Sequence, residues 1–351
     1  MNDFDKNTLS DKVFSRTIDG RPDDPVGRGK DVPVFLKREF TDALPPLKKE
    51  NLKHHEFAKK TIQTLFDPVS VRSSTVKTFN YSNNVIAWNE GNGKFTIMEL
   101  TATPEFNMFK YMYFYNGAGV GVGDFNNDGL SDIFFSSNQG ENKIYLNEGG
   151  MKFKDVTKEA RIPQDGGWST GVSVVDINND GLLDIYVCRV GNYETLQSKN
   201  QFLICKGKDA NGVPYYEDEA GTLGLAFSGF GTQAAFFDYD LDGDLDFFLI
   251  NHSLRFNGTF NERSSYLNTF DTLAADYLFR NESPSGGGKG EVKFVDVSAT
   301  AGINRSIIGY GLGLSVADIN LDGYPDLYIG NDFQENDYLY INQKNGTFID
   351  S

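Results

Sequence analysis

Four stretches of this chain repeat one acidic pattern, Asp-x-(Asn/Asp)-x-Asp-Gly-x-x-Asp, each between two short apolar runs: Asp124–Asp132, Asp176–Asp184, Asp238–Asp246 and Asp318–Asp326. Side-chain oxygens at alternate positions of a turn can face one point, and the glycine lets the backbone turn sharply enough to bring them there. A hard cation takes such oxygens, and calcium is the ion that the set suits. One Asp-Gly turn would be a solvated hairpin; four in a single register point to metal loops.

The spacing is that of the first half of an EF-hand, with oxygens at positions 1, 3 and 5 and a backbone carbonyl at 7, but an aspartate at position 9 closes each loop. The expected ligands are therefore Asp124, Asn126, Asp128 and Asp132; Asp176, Asn178, Asp180 and Asp184; Asp238, Asp240, Asp242 and Asp246; and Asp318, Asn320, Asp322 and Asp326. The flanking segments are not EF-hand helices. Gly119–Gly123 and Asp132–Phe135 have strand character.

Charge is consistent with this. The formal net charge is -16 at pH 7, and four divalent ions would return about eight of those charges. Such acidity excludes nucleic-acid binding, which needs a Lys/Arg surface. No run of apolar residues is long enough for a transmembrane helix. Met1–Lys6 does not resemble a signal peptide, so the expectation is a chain whose signal has been removed or a fragment. Loops of this kind suit extracellular calcium, which favours an exported or surface-displayed protein. Cys188 and Cys205 end consecutive expected strands whose hairpin would set them opposite each other. A cross-strand disulfide is one reading; two buried thiols acting as small apolar residues is the preferred one.

Self-similarity extends beyond the loops. After each comes an apolar strand (Ile133–Phe135, Ile185–Val187, Phe247–Ile250, Leu327–Ile329), then a third strand, a turn and a fourth. Each unit is thus a four-stranded antiparallel sheet with the acidic loop between strands one and two, which is a propeller blade. The first aspartates are 52, 62 and 80 residues apart because segments 189–200 and 251–276 are inserted between strands two and three. Loop insertions cost little, so the repeat survives them.

The expected fold is therefore all-β: a β-propeller of four-stranded antiparallel blades, about five of them visible, with an N-terminal helical insertion. Residues 1–104 would form a degenerate first blade, the insertion covering about 20–75, and residues 105–351 four blades at about 117–157, 171–218, 232–298 and 311–351. In the first blade Asp3, Asp5, Asn7 and Asp11 keep the ligand spacing, with the Leu9 carbonyl, and make a weaker candidate for a fifth calcium ion, since Thr8 replaces the glycine. Asn84–Glu90 and Lys94–Leu100 repeat strands three and four. The insertion contains an expected helix, Lys49–Phe66, with Ala58, Ile62, Leu65 and Phe66 on one face and Lys53, His54, His55, Lys59 and Lys60 on a solvated one.

Gly121–Asp132 and Tyr145–Gly150, together with Gly167–Asp176 and Phe237–Asp246, resemble FG-GAP/VCBS repeats, the blades of integrin α-subunits and of many secreted bacterial proteins, among them Bacteroidota proteins that often carry an ASPIC/UnbV domain. The resemblance covers about 110–351 strongly and 1–104 loosely. It implies a calcium-stabilised propeller, secreted or at the cell surface, that binds a glycan or protein in adhesion or recognition. It also carries over the calcium ligands above, with carbonyls from Leu130, Leu182, Asp244 and Tyr324.

In such a blade the strand 2–3 insertions and the blade-to-blade connections emerge on the face opposite the loops, where a glycan or protein ligand would bind. Trp168, Phe230 and Tyr310 lie eight residues before the first aspartate of their repeats and Tyr115 nine before its own. Successive blades would array them around the axis, either as an aromatic collar open to a ligand or as inter-blade packing. His252 and Arg255, on an inserted loop, are weaker candidates. No catalytic constellation is evident, so the primary expectation is a non-enzymatic module. The rival is a polysaccharide-active enzyme such as a lyase on a propeller scaffold, with His252, Arg255 and the Lys/His face of the 49–66 helix as its evident material.

Overall fold

The computed structural model describes residues 100–351 apart from 109, 151, 254–262, 267–268, 284–292 and 333–334, and earlier only the strand backbones at 15–17, 31–33, 86–89 and 95–98. The chain divides into two compact units, Met1–Ser82 and Asn83–Ser351, whereas the sequence suggests a boundary after residue 104. In the first unit β1 (Ser15–Thr17) pairs antiparallel with β2 (Asp31–Pro33). The expected helix at 49–66, the loop Asp3–Asp11 and Arg255 lie outside the described residues.

The second unit begins with a hairpin of β3 (Ile86–Asn89) and β4 (Phe95–Met98). Four four-stranded antiparallel sheets follow, each in simple sequential order. They are β5–β8 (Val120–Gly123, Asp132–Phe135, Lys143–Asn147, Phe153–Asp155), β9–β12 (Trp168–Val175, Asp184–Val190, Gln201–Lys208, Pro214–Asp218), β13–β16 (Gly231–Phe237, Asp246–Asn251, Tyr277–Asn281, Phe294–Asp296) and β17–β20 (Gly311–Ala317, Asp326–Asn331, Tyr338–Asn342, Phe348–Asp350). Helix is confined to one short turn, α1 (Ser298–Ala301), and a 3-10 turn at Arg263–Ser265, among the described residues. These are propeller-like blades, each with its acidic loop joining strands one and two.

The core lies between blades. In β10 Ile185 and Val187 pack toward blade one, while Tyr186 and Cys188 pack toward blade three. In β14 Phe247 and Leu249 face blade two, and Phe248 and Ile250 face blade four. This explains why β10 and β14 are continuous apolar runs: both pleat faces are covered, so alternation with polar residues is not needed, whereas β6 and β18 leave Ile133 and Phe135 half-buried and Tyr328 exposed. The first strands, β5, β9, β13 and β17, lie side by side in succession. Glycines permit the approach: a Cβ on Gly119 would sit 2.6 Å from the Thr170 carbonyl oxygen, and one on Gly171 2.3 Å from that of Thr232.

The register also decides the cysteines. Ile185 pairs with Leu203, so Cys188 and Cys205 are not cross-strand neighbours. They point to opposite faces, one into each inter-blade core, and both are free and buried. The expected placement of the two opposite each other is corrected by this register, and the buried-thiol reading stands.

Candidate functional site

In all four acidic loops the first aspartate caps the turn. Asp124 Oδ1 accepts from Asp128 N (2.9 Å) and its Oδ2 from Gly129 N (2.8 Å), and Asp176, Asp238 and Asp318 repeat both bonds. The position-5 aspartate accepts from the amide of position 7, so Leu130, Leu182, Asp244 and Tyr324 are held by their own N–H groups. Bonding of this kind satisfies the turn amides with side-chain oxygens and aims the remaining lone pairs inward.

The glycine at position 6 is left-handed in each loop, with φ between +82° and +97°. Position 4 is left-handed too, at +53° to +60°: Asn127, Asn179, Leu241 and Leu321. Asparagine tolerates that region and leucine does not. Leu321 is also 87% exposed, so its side chain gains no compensating burial. Leu321→Asn is expected to raise stability by about 0.5–1 kcal/mol, read as a shifted denaturation midpoint at unchanged slope; a lower midpoint would refute the assignment of strain.

Position 9 does something that the sequence pattern did not reveal. Asp132, Asp184, Asp246 and Asp326 are buried, and each links the loop to strand three of its blade. Oδ2 accepts from the amide of position 2 (Phe125, Ile177, Tyr239, Ile319) and Oδ1 from a strand-three amide (Asn147, Cys205, Asn281, Asn342), all at 2.8–3.1 Å. Burial pushes the carboxyls of Asp184 and Asp246 up to about 7 and raises that of Asp132, against the amide bonds that oppose the shift.

The third loop differs from the others. Positions 1, 3 and 9 are all carboxylates there, and oxygens of Asp238, Asp240 and Asp246 lie within 4.8 Å of one another. Asp240 Oδ1 is buried with no hydrogen-bond partner. Burial, then the charges of Asp242 and Asp238, raises the Asp240 carboxyl. Converging carboxylates with an orphaned oxygen fit a divalent cation, whose charge would remove the repulsion. In the other loops Asn126, Asn178 and Asn320 close the turn by donating from Nδ2 to Oδ2 of position 5.

The opposite face is knitted from the insertions and blade connections. His252 N donates to the Phe230 carbonyl, Phe230 N to that of Leu273, Ser253 N to that of Gly309, and Arg263 forms a two-pronged ion pair with buried Glu335. Trp168, Phe230 and Tyr310 do come together, with half-buried Tyr115 against them, but Phe106, Tyr111, Tyr113 and Phe114 cover them. Trp168 is only 2% exposed, its ring 4.9 Å from Phe106 and 5.1 Å from Phe114. The collar is therefore filled by its own chain, a packing contact that the sequence left open. His252 is enclosed as well: its Nε2 shares a 2.8 Å hydrogen bond with Tyr111 Oη, and its ring lies 4.2 Å from that of Tyr113 and 5.4 Å from that of Phe230. Burial pulls its pKa down to about 3, so the imidazole is neutral.

Residues 74–135 and 124–187 match a family described as FG-GAP-like repeat, and residues 310–341 match the FG-GAP repeat. Cartilage acidic protein 1 of Xenopus tropicalis is 26% identical over 171 residues, 47% of this chain and 24% of the relative. The Homo sapiens protein of the same name is 28% identical over 138 residues, 38% of this chain and 20% of the relative. The chain thus matches about a quarter or less of the length of these curated relatives. A solved structure of an Agrocybe aegerita lectin recognising non-reducing terminal N-acetylglucosamine shares 16% identity at a TM-score of 0.35, covering 76% of this chain and 59% of that one; at that score it bears on neither fold nor ligand.

Proposed function

Starting from a chain that carries FG-GAP-like repeats, we propose a calcium-stabilised, non-enzymatic recognition module that works outside the cell or at its surface and binds a glycan or protein on the face opposite the acidic loops. The observation that carries the metal reading is the third loop, where three carboxylates converge and one buried oxygen has no partner. Bound calcium would neutralise these groups and cross-link each turn. The protein's own part is to hold position 1 by its turn amides and position 9 by the strand-three amide, so that a loaded loop is tied to the sheet. Adhesion and recognition are supported by packed inter-blade cores and by the insertions that the sequence places at 189–200 and 251–276, between strands two and three, the usual arrangement of scaffold-held binding loops.

The lyase reading has less support. A base must reach a solvent-borne substrate, and His252 is 1% exposed beneath Tyr111 and Tyr113. Metal analysis after dialysis against calcium tests the loops: about four ions per chain are expected from the four complete ligand sets, and Asp180→Ala should remove one. An unchanged count in that variant would contradict the ligand assignment. A glycan and matrix-protein array tests the recognition role, with binding and no turnover of any hit expected. Bond cleavage in a bound glycan would overturn the non-enzymatic reading.

A further inference from the structure

The four loops share a backbone but not a charge environment. The third has a carboxylate at position 3, Asp240, where the others have asparagine, so it offers four charged ligands to their three. It is also the loop without an internal amide bridge: in the others the asparagine Nδ2 occupies Oδ2 of position 5, as in Asn320 to Asp322 at 3.0 Å. That bond ties up one carboxylate oxygen of position 5 in those loops, whereas the third loop has no such bond and its Asp240 Oδ1 is without a partner. Arg280, whose charge reaches Asp240, is itself paired with Glu282 at 2.6 Å.

The fourth loop is distinguished by a cation. Lys344 Nζ lies 3.5 Å from Asp322 Oδ2, donates to the Asp322 carbonyl at 3.3 Å and sits 5.5 Å from the centre of the Tyr324 ring. The β19–β20 turn places it there: Lys344 N donates to Asn342 Oδ1, as Gly149 N does to Asn147 Oδ1 in blade one and Ser283 N to Asn281 Oδ1 in blade three. Where blade one uses a left-handed glycine (φ +85°), blade four holds a lysine at φ +62°. A cation on a ligand carboxylate is already the counter-charge that a metal would supply. In blade two Lys208 reaches across to the Asn126 carbonyl of loop one, but as a donor to a carbonyl and not to a ligand carboxylate.

We infer that the loops fill in order, the Asp238–Asp246 loop taking its divalent cation first and the Asp318–Asp326 loop last, with the Lys344 ammonium as the resident cation that the metal displaces. This rests on the calcium reading of the loops and gives it a regulatory sense. At calcium levels between the two affinities, blade three is locked while the loop of blade four stays open, so the last blade responds to calcium and the third holds it constitutively.

Stepwise titration of the whole chain with calcium chloride, read by hydrogen–deuterium exchange of residues 238–246 and 318–326, tests the order. Protection is expected first in 238–246 and last in 318–326. Asp240→Asn, which gives loop three the ligand set of the other three, should weaken the first site by about tenfold, since ligand charge count sets affinity. Lys344→Gln should tighten the last site by about threefold or more through loss of the competing charge. Asn320→Asp in the fourth loop is the converse change and should move it earlier. Simultaneous filling, or a first site indifferent to Asp240→Asn, would overturn the order while leaving calcium binding intact. No protection of any loop by calcium would overturn both the order and the reading beneath it.

Discussion

In excess chelator the protein is expected to lose about 10 kcal/mol of unfolding free energy relative to the calcium-loaded state. A ligand bound only by the folded chain at a hundredfold over its dissociation constant adds about 2.7 kcal/mol per site, and four sites add accordingly. Domains as a rule keep about 5–15 kcal/mol in total, so the chelated chain should melt at a much lower temperature or unfold outright. The reason is local. Position 9 is buried between the loop and strand three, and burial raises its carboxyl in Asp184 and Asp246, so without a cation each group is held as a poorly solvated carboxylate on two amides or takes up a proton to shed the charge. Calcium should restore the melting temperature and magnesium should do so less well, because the smaller ion demands near-octahedral geometry and gives up water reluctantly. A melting temperature indifferent to chelator would show that the loops are closed by their internal hydrogen bonds alone.

Acid is expected to act at the other face, through His252. Its folded-state pKa, about 3, lies below the unfolded value of about 6.5 because burial disfavours the imidazolium. Below pH 6.5 the unfolded chain takes up a proton that the folded chain refuses. The contribution is therefore complete above pH 6.5 and is lost as pH falls toward 3, at about 1.4 kcal/mol per pH unit, or about 3 kcal/mol near pH 4.3. The rings around it cannot buffer this: burial raises both the Tyr111 and Tyr113 phenols, so they stay neutral throughout, and Phe230 carries no charge. Asp332 acts on Tyr113 from the adjoining blade. Because carboxylates elsewhere titrate in the same range, the measurement is a difference: His252→Gln, which cannot protonate, should show a flatter fall in stability between pH 6.5 and 4 than the parent chain. Parallel profiles would mean that His252 protonates without cost and is not enclosed as the structure has it.

How much could be read without coordinates depended on how far apart the interacting residues lie. Every proposed ligand of an acidic loop falls within nine consecutive residues, so spacing alone puts Asp176, Asn178, Asp180 and Asp184 on one turn, and the apolar runs beside them give the strands. Spacing could not show that Asp184 also holds the Cys205 amide, 21 residues away, because that depends on the pairing of β10 with β11. Nor could the aromatic positions disclose which way they face. Trp168 opens β9, and Phe230 and Tyr310 immediately precede β13 and β17, equivalent positions that spacing gives, yet their burial comes from Phe106, Tyr111 and Phe114, which precede β5 and lie outside the four sheets.

The sequence by itself determined the local chemistry: four oxygen-rich turns, each followed by the strands of a blade, and apolar runs long enough to be covered on both sides. Tertiary structure decided what those pieces meet. It turned Cys188 and Cys205 toward different cores, sealed Trp168, Phe230 and Tyr310 beneath Phe106, Tyr111, Tyr113 and Phe114, and set Lys344 over one loop of four. The physical reason is that turn geometry and strand alternation are fixed by neighbours along the chain. Burial and charge pairing are fixed by neighbours across space, such as Tyr111 and His252, which are 141 residues apart.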